Sequence, residues 1–128
     1  MSKKQIVDTP KAPSPIGPYS QAAVAGDLLF ASGQLPLDPA TGKMVEGDIQ
    51  ARAHQVFKNV QAIVEAAGAT LDDVVKTTVF LTNMADFKAV NEVYAQYFTA
   101  PFPARSAVQV AALPLGADVE MEAVVKLK

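Results

Sequence analysis

Asp48-Ile-Gln-Ala-Arg-Ala-His-Gln-Val-Phe-Lys-Asn-Val-Gln-Ala-Ile-Val-Glu-Ala-Ala-Gly68, followed by Val74-Val-Lys-Thr-Thr-Val-Phe-Leu81, decides the fold. In the first stretch Ile49, Ala53, Val56, Phe57, Val60, Ile63, Val64 and Ala67 recur at steps of three and four, which gathers them on one face of a helix. Asp48 has the short acceptor side chain of an N-cap, and Gly68 suits the residue that ends a helix. The second stretch is rich in valine and threonine and predicts a strand. Downstream, Phe87, Val90, Tyr94, Tyr97 and Phe98 repeat the helical spacing until Pro101 stops it. Residues 104–110 and 118–126 predict two more strands around a Pro114/Gly116 turn. Upstream, residues 19–24 and 28–34 form two apolar runs around Ala25-Gly26-Asp27, a tight hairpin with glycine at the turn. Residues 36–43 carry the Asp38-Pro and Thr41-Gly punctuation of a surface loop.

The order is hairpin, helix, strand, helix, strand, strand. One sheet with two helices packed on one face accommodates it, an α+β layer pair. Neither a repeat nor a linker interrupts residues 1–128, which predicts a single domain. Residues 1–12 form a polar, proline-punctuated leader with room for a short first strand at residues 5–7. The last strand sets Val119, Met121, Ala123 and Val125 against Glu120, Glu122, Val124 and Lys126. The first set suits the helix side. The second mixes charge with Val124, and residues 74–81 likewise present apolar side chains on both faces. An outer sheet face with that much apolar surface predicts contact with another subunit.

The chain of 128 residues has no cysteine, one histidine, two arginines and a formal net charge of −2. Without cysteine there are no disulfides, thiolate nucleophiles or thiolate metal sites, which is consistent with a cytoplasmic protein. No run is long enough to span a membrane, and Met1-Ser-Lys-Lys lacks the apolar core of a signal peptide. Lysines are scattered rather than clustered, unlike the basic footprint of a nucleic-acid binder. His54 falls among Gln50, Arg52, Gln55 and Lys58, the expected wet side of the first helix. A Ser–His–Asp triad, a Cys–His pair and a conventional zinc site therefore all lack parts, and no metal is expected.

Arg105 is the most informative charge. It interrupts Phe102-Pro-Ala-Arg-Ser-Ala-Val-Gln-Val110, which otherwise reads as a buried strand. A guanidinium cannot be deprotonated, so burial requires an anionic partner. Its planar fork matches a carboxylate or phosphate at two points. Two readings follow: a pocket for a small acid, or a structural pair with an aspartate or glutamate.

Six motifs extend the reading. Ile16-Gly-Pro-Tyr-Ser-Gln-Ala22, Ala31-Ser-Gly-Gln-Leu-Pro36, Asn59-Val-Gln-Ala-Ile-Val-Glu-Ala-Ala-Gly68, Val75-Lys-Thr-Thr-Val-Phe80, Val90-Asn-Glu-Val-Tyr94 and Pro103-Ala-Arg-Ser-Ala-Val108 occur in the order found in the RidA/YjgF family. The chain resembles that family from about Pro13 to its C-terminus. The resemblance implies a chorismate-mutase-like α+β fold, a homotrimer with sites at the subunit interfaces, and no cofactor. It also implies hydrolysis of reactive 2-enamino and 2-imino acids, such as 2-aminoacrylate and 2-iminopropanoate, to 2-keto acids and ammonia. Carried onto this sequence, Arg105 binds the substrate carboxylate and Glu120 holds the attacking water. Tyr19, Ser32 and Asn91 line the site, Gly33 offers its backbone N–H, and Ala107 contributes backbone where many relatives have cysteine.

That chemistry suits the inventory. Arg105 orients the electrophilic carbon next to the carboxylate, and water on Glu120 serves as proton shuttle and nucleophile. Two other classes compete. A non-catalytic module binding a keto acid or a partner protein would use the same arginine. A single-strand ribonuclease or translation inhibitor fits the acidic charge balance and the lack of a histidine pair less well.

Overall fold

The computed structural model describes residues 4–128. Six strands form one mixed sheet: β1 (Gln5–Val7), β2 (Ala22–Ala25), β3 (Leu28–Gln34), β4 (Val74–Leu81), β5 (Ala104–Gln109) and β6 (Val119–Lys126). Their spatial order is β1-β2-β3-β6-β4-β5. Every pairing is antiparallel except β4 with β5, which are parallel. Parallel neighbours need a crossover, and the second helix supplies it. The helices are α1 (Ile49–Ala66) and α2 (Phe87–Tyr97).

Both helices cover the same face. The predicted stripe of α1 is buried at Ala53, Val56, Phe57, Val60, Ile63 and Val64. It meets Leu29, Met121, Val119, Val125, Val79 and Leu81 from the sheet, with Val90, Val93 and Tyr94 from α2 completing the core. The expected boundaries hold at α1, where the Asp48 carboxylate accepts from Ala51 N–H at 2.9 Å. Gly68, at φ +84°, follows the helix end and donates its N–H to the Glu65 carbonyl at 3.0 Å. The leader strand forms at Gln5–Val7, whereas β2 begins at Ala22 rather than at residue 19. Residues 19–21 are instead committed to side-chain and turn contacts that hold the leader.

Two buried amides hold chain that lies outside the sheet, Gln21 the leader and Asn59 the segment after β3. The Gln21 side chain accepts from Thr9 N–H and donates to the carbonyls of Thr9, Ala12 and Pro13. Asn59, on α1, donates to the carbonyls of Leu35 at 3.1 Å and Leu37 at 2.9 Å and accepts from Gln55. A buried amide this well satisfied fixes backbone that has no ladder of its own. The segment after β3 also closes a small second core of Leu35, Leu37 and Ala117.

Two expectations need correction. Residues 104–110 are not a buried strand: β5 is the sheet edge, and all but one of its residues are exposed. Its apolar residues have no covering layer within the chain, because β4 lies on one side only and α2 reaches just the Arg105 side. His54 is half-buried rather than solvated, with Nδ1 2.9 Å from the Tyr97 hydroxyl and the rings in edge contact. Among the described residues, no helix is long and apolar enough to cross a membrane.

Asn59→Leu should keep the helix but strand two carbonyls, destabilising the protein by about 2 kcal/mol or more. Urea unfolding of both proteins measures this; a midpoint equal to the parent's would show that the amide carries no such weight.

Candidate active site

Alternation along the sheet divides the predicted site residues into two groups. Val119 and Met121 are buried beneath the helices, so Glu120 between them faces away. Thr77, level with Arg105 in the β4–β5 ladder, is fully buried and its hydroxyl meets the Tyr94 hydroxyl of α2. Arg105 therefore lies on the helix side at the sheet edge. Glu120 is level with Phe80 on β4, three residues further along and on the opposite face. Strand spacing and rise put the two Cα atoms about 14 Å apart, with β4 between them.

The Arg105 group is built by α2. Its Nη1 donates to Asn91 Oδ1 at 2.7 Å. The guanidinium carbon lies 4.8 Å from the Tyr94 ring centroid and 5.4 Å from that of Phe87. The ion pairs among the described residues are Arg52–Asp118 and Lys126–Asp27, so Arg105 has no carboxylate partner. The structural-pair reading of this arginine fails on that point. A cation held by an amide oxygen and two ring faces keeps its charge available to an incoming anion. Ala107 follows two residues along on the same side, half-buried opposite Val79.

The second group surrounds a cleft of about 310 Å³ lined by Ile16, Tyr19, Ser32, Gly33, Leu35, Pro114 and Glu120. A bulge shapes its floor. The β3–β6 register runs to Ala31↔Ala123 and resumes at Gln34↔Met121, so Ser32 and Gly33 together oppose one residue of β6. A Cβ placed on Gly33 would stand 2.5 Å from Glu120 Oε2 and 2.8 Å from its carboxyl carbon. Any larger residue here would push the carboxylate out of its present position. Ser32 Oγ donates to the Ser20 carbonyl at 2.6 Å, fastening the Gly17-Pro-Tyr19 turn to β3. The Tyr19 hydroxyl accepts from Ile16 N–H at 3.3 Å, which leaves its own proton to give.

Glu120 is half-buried in this apolar-walled cleft. Burial pushes its carboxyl above the ordinary glutamate range, and the neighbouring Glu122 charge pushes the same way. Among the described residues, no group of three or more histidine, aspartate, glutamate or cysteine side chains is arranged to hold a metal ion.

The structure thus brings Tyr19, Ser32, Gly33 and Glu120 together, and separately Arg105, Asn91 and Ala107. Asn91 does not join the cleft; it is bonded to Arg105. Tyr94, Thr77, Asn59, Ile16, Leu35 and Pro114 escaped sequence reasoning as contributors. All but Pro114 fall within the quoted motifs, and Asn59 left a second signal, a polar residue beside the apolar stripe of a helix.

Comparison with known proteins adds three kinds of finding. Residues 9–127 match the family model described as endoribonuclease L-PSP. The chain is 54% identical over 125 residues to the chloroplastic Reactive Intermediate Deaminase A of Arabidopsis thaliana, covering 98% of this chain and 67% of that protein. It is 49% identical over 128 residues to the 2-iminobutanoate/2-iminopropanoate deaminase of Dermatophagoides farinae, covering 100% of both. The crystal structure of Escherichia coli TdcF with bound serine superposes with a TM-score of 0.93 at 44% identity, over 98% of this chain and 100% of that one.

The Glu120 carboxyl should titrate above the ordinary glutamate range, and Glu122→Gln should bring it down. Carboxyl-carbon NMR across a pH series reads both; a Glu120 midpoint at or below the ordinary value contradicts the burial argument.

Proposed function

The chain belongs to the family described as endoribonuclease L-PSP, that of RidA and YjgF, and on that premise we propose that it is a 2-iminobutanoate/2-iminopropanoate deaminase. The observation that carries the reading furthest is Arg105: a cation seated on neutral partners, with no acidic side chain to satisfy it. A 2-imino acid offers the matching group, a carboxylate next to a C=N carbon. Relatives of nearly full-length similarity bear the name of this activity, and one related structure holds serine, also a small carboxylate.

The two groups of residues set the assembly. Arg105 and Glu120 occupy opposite faces of one sheet, so a substrate small enough to fit either cannot span both within a chain. A second copy resolves this: Arg105, Asn91 and Ala107 from one subunit meet Tyr19, Ser32, Gly33 and Glu120 from its neighbour. Such a contact joins unlike surfaces, which form a ring when the rotation between copies closes. A homotrimer with three interfacial sites is the ring we propose. Phe30 and Val108, 47% and 40% exposed in the single chain, supply apolar surface for that contact.

The reaction then runs as follows. Arg105 binds the carboxylate and fixes the imine carbon within the cleft. Water held by Glu120 attacks that carbon: a C–O bond forms, the C=N pair moves to nitrogen, and nitrogen takes a proton. The carbinolamine collapses, the C–N bond breaks, and ammonia leaves behind a 2-keto acid. Glu120 accepts the proton of the attacking water and passes it to nitrogen; on collapse it takes the carbinolamine hydroxyl proton as the C=O bond forms and gives that one to the departing amine. Ionised Glu120 is required for the attack, so its raised pKa makes the rate climb with pH through a midpoint above the usual glutamate range. Gly33 N–H and the backbone at Ala107 assist carboxylate binding. The substrate already reacts with water unaided, so modest acceleration suffices and no cofactor enters the scheme.

Arg105→Ala should lower kcat/KM for 2-iminopropanoate about a hundredfold, while Glu120→Gln should lower kcat by about the same factor and leave pyruvate binding largely intact. Light scattering should report three chains for the parent and both variants. Parental rates in either variant would remove that residue from the mechanism. Pyruvate binding with no ammonia release by the parent would favour a non-catalytic module instead.

A further inference from the structure

Tyr94 stands directly behind Arg105 yet belongs to the core. Its side chain is 93% covered, since only 7% of its surface is exposed. Phe98 stacks on its ring at 4.5 Å and Phe57 meets it edge-on at 5.7 Å. A tyrosine in such apolar company needs a partner for its hydroxyl. The partner is Thr77 Oγ1 at 2.9 Å, on a fully buried residue of β4. Thr77 is also the ladder partner of Arg105. The tyrosine thus reaches over two adjacent strands, its hydroxyl pinned on one and its ring beneath the guanidinium of the other.

We propose that Tyr94, anchored by Thr77, is a positioning residue that holds Arg105 ready for the substrate carboxylate. The inference rests on the deaminase reading above and extends it to residues that touch no substrate. Its logic is one of rigidity. Arg105 sits on an edge strand and is exposed, where a long side chain would ordinarily sample many rotamers. The single hydrogen bond to Asn91 fixes one end of the fork. The ring face fixes its plane, without an acidic group that would compete with the substrate. The Thr77 bond keeps the ring from sliding along the core. Two neutral hydroxyls serve this purpose without altering the charge of the site.

Such a role predicts a particular split in the kinetics. Carboxylate binding should suffer, while the chemical step, which depends on Glu120 across the cleft, should not. Tyr94→Leu should weaken pyruvate binding and raise KM by about tenfold, the loss of one partly desolvated cation–ring contact, with kcat within about threefold of the parent. Tyr94→Phe keeps the ring but loses the hydroxyl that pins it to Thr77, so it should weaken pyruvate by only about three- to fivefold, between the parent and Tyr94→Leu. Thr77→Val matches the threonine in shape and leaves the ring in place but unpinned; it should weaken pyruvate by roughly three- to fivefold.

Calorimetric titration with pyruvate and steady-state deaminase assays on the assembled proteins test this, with Arg105→Ala as reference. Parent-like pyruvate affinity in Tyr94→Leu or in Thr77→Val overturns the inference, as does a fall confined to kcat. Should Tyr94→Leu not fold, Thr77→Val decides alone. Parent-like affinity in Arg105→Ala is a different result: it removes the carboxylate clamp itself, and with it the deaminase reading.

Discussion

Arg105 carries a positive charge that no acidic side chain of the described protein neutralises. Its neighbours are an amide oxygen and two aromatic rings, and those rings belong to a helix whose position is set by the core. The β4–α2–β5 crossover exists on the same terms. It lays an edge strand beside β4 in parallel, so that Arg105 comes level with buried Thr77 and within reach of Tyr94. An isolated cation in a partly apolar setting invites an anion, and the fold supplies none.

The other half of the proposed site depends on a close approach of two strands. The bulge at Ser32-Gly33 and the absence of a Cβ on Gly33 let Glu120 lie against β3. Asn59 on α1 holds the chain just after that bulge, and the Gln21 carbonyl, just before β2, accepts from Ser32 N–H within it. The cleft walls are otherwise mainly apolar, which is why the Glu120 carboxyl resists ionisation. Asymmetry between the two sheet faces follows from simple alternation along β6 and β5. On the proposed reading, a single chain holds half a site and a neighbouring subunit supplies the other half.

Much of this was legible in the residues. Helical stepping in α1 and α2, the valine-rich β4 and the Ala25-Gly26-Asp27 turn each gave the right element, because each buries one face against the core. The edge position of β5 was not legible. Apolar residues look alike whether a helix or another subunit covers them, so Ala104, Val108 and their neighbours read as interior. The start of β2 was misplaced for a similar reason, since Gln21 looks like a strand residue until its amide is seen clasping the leader. The family motifs named the candidate site residues but not their division between faces. Strand order sets that division, and no local pattern encodes strand order. Tyr94 was legible only as core, which it also is.

The central claim is that each site joins Arg105 of one chain to Glu120 of another. Mixing two inactive variants tests it most directly. Arg105→Ala and Glu120→Gln chains, unfolded together in equal amounts and reassembled, form rings in which about a quarter of the interfaces pair an intact arginine with an intact glutamate. The account predicts deaminase activity near a quarter of the parent's, from two preparations that are each nearly inactive. A reassembled mixture no more active than its components would contradict it, since a site contained within one chain would lack one of the two residues in every subunit.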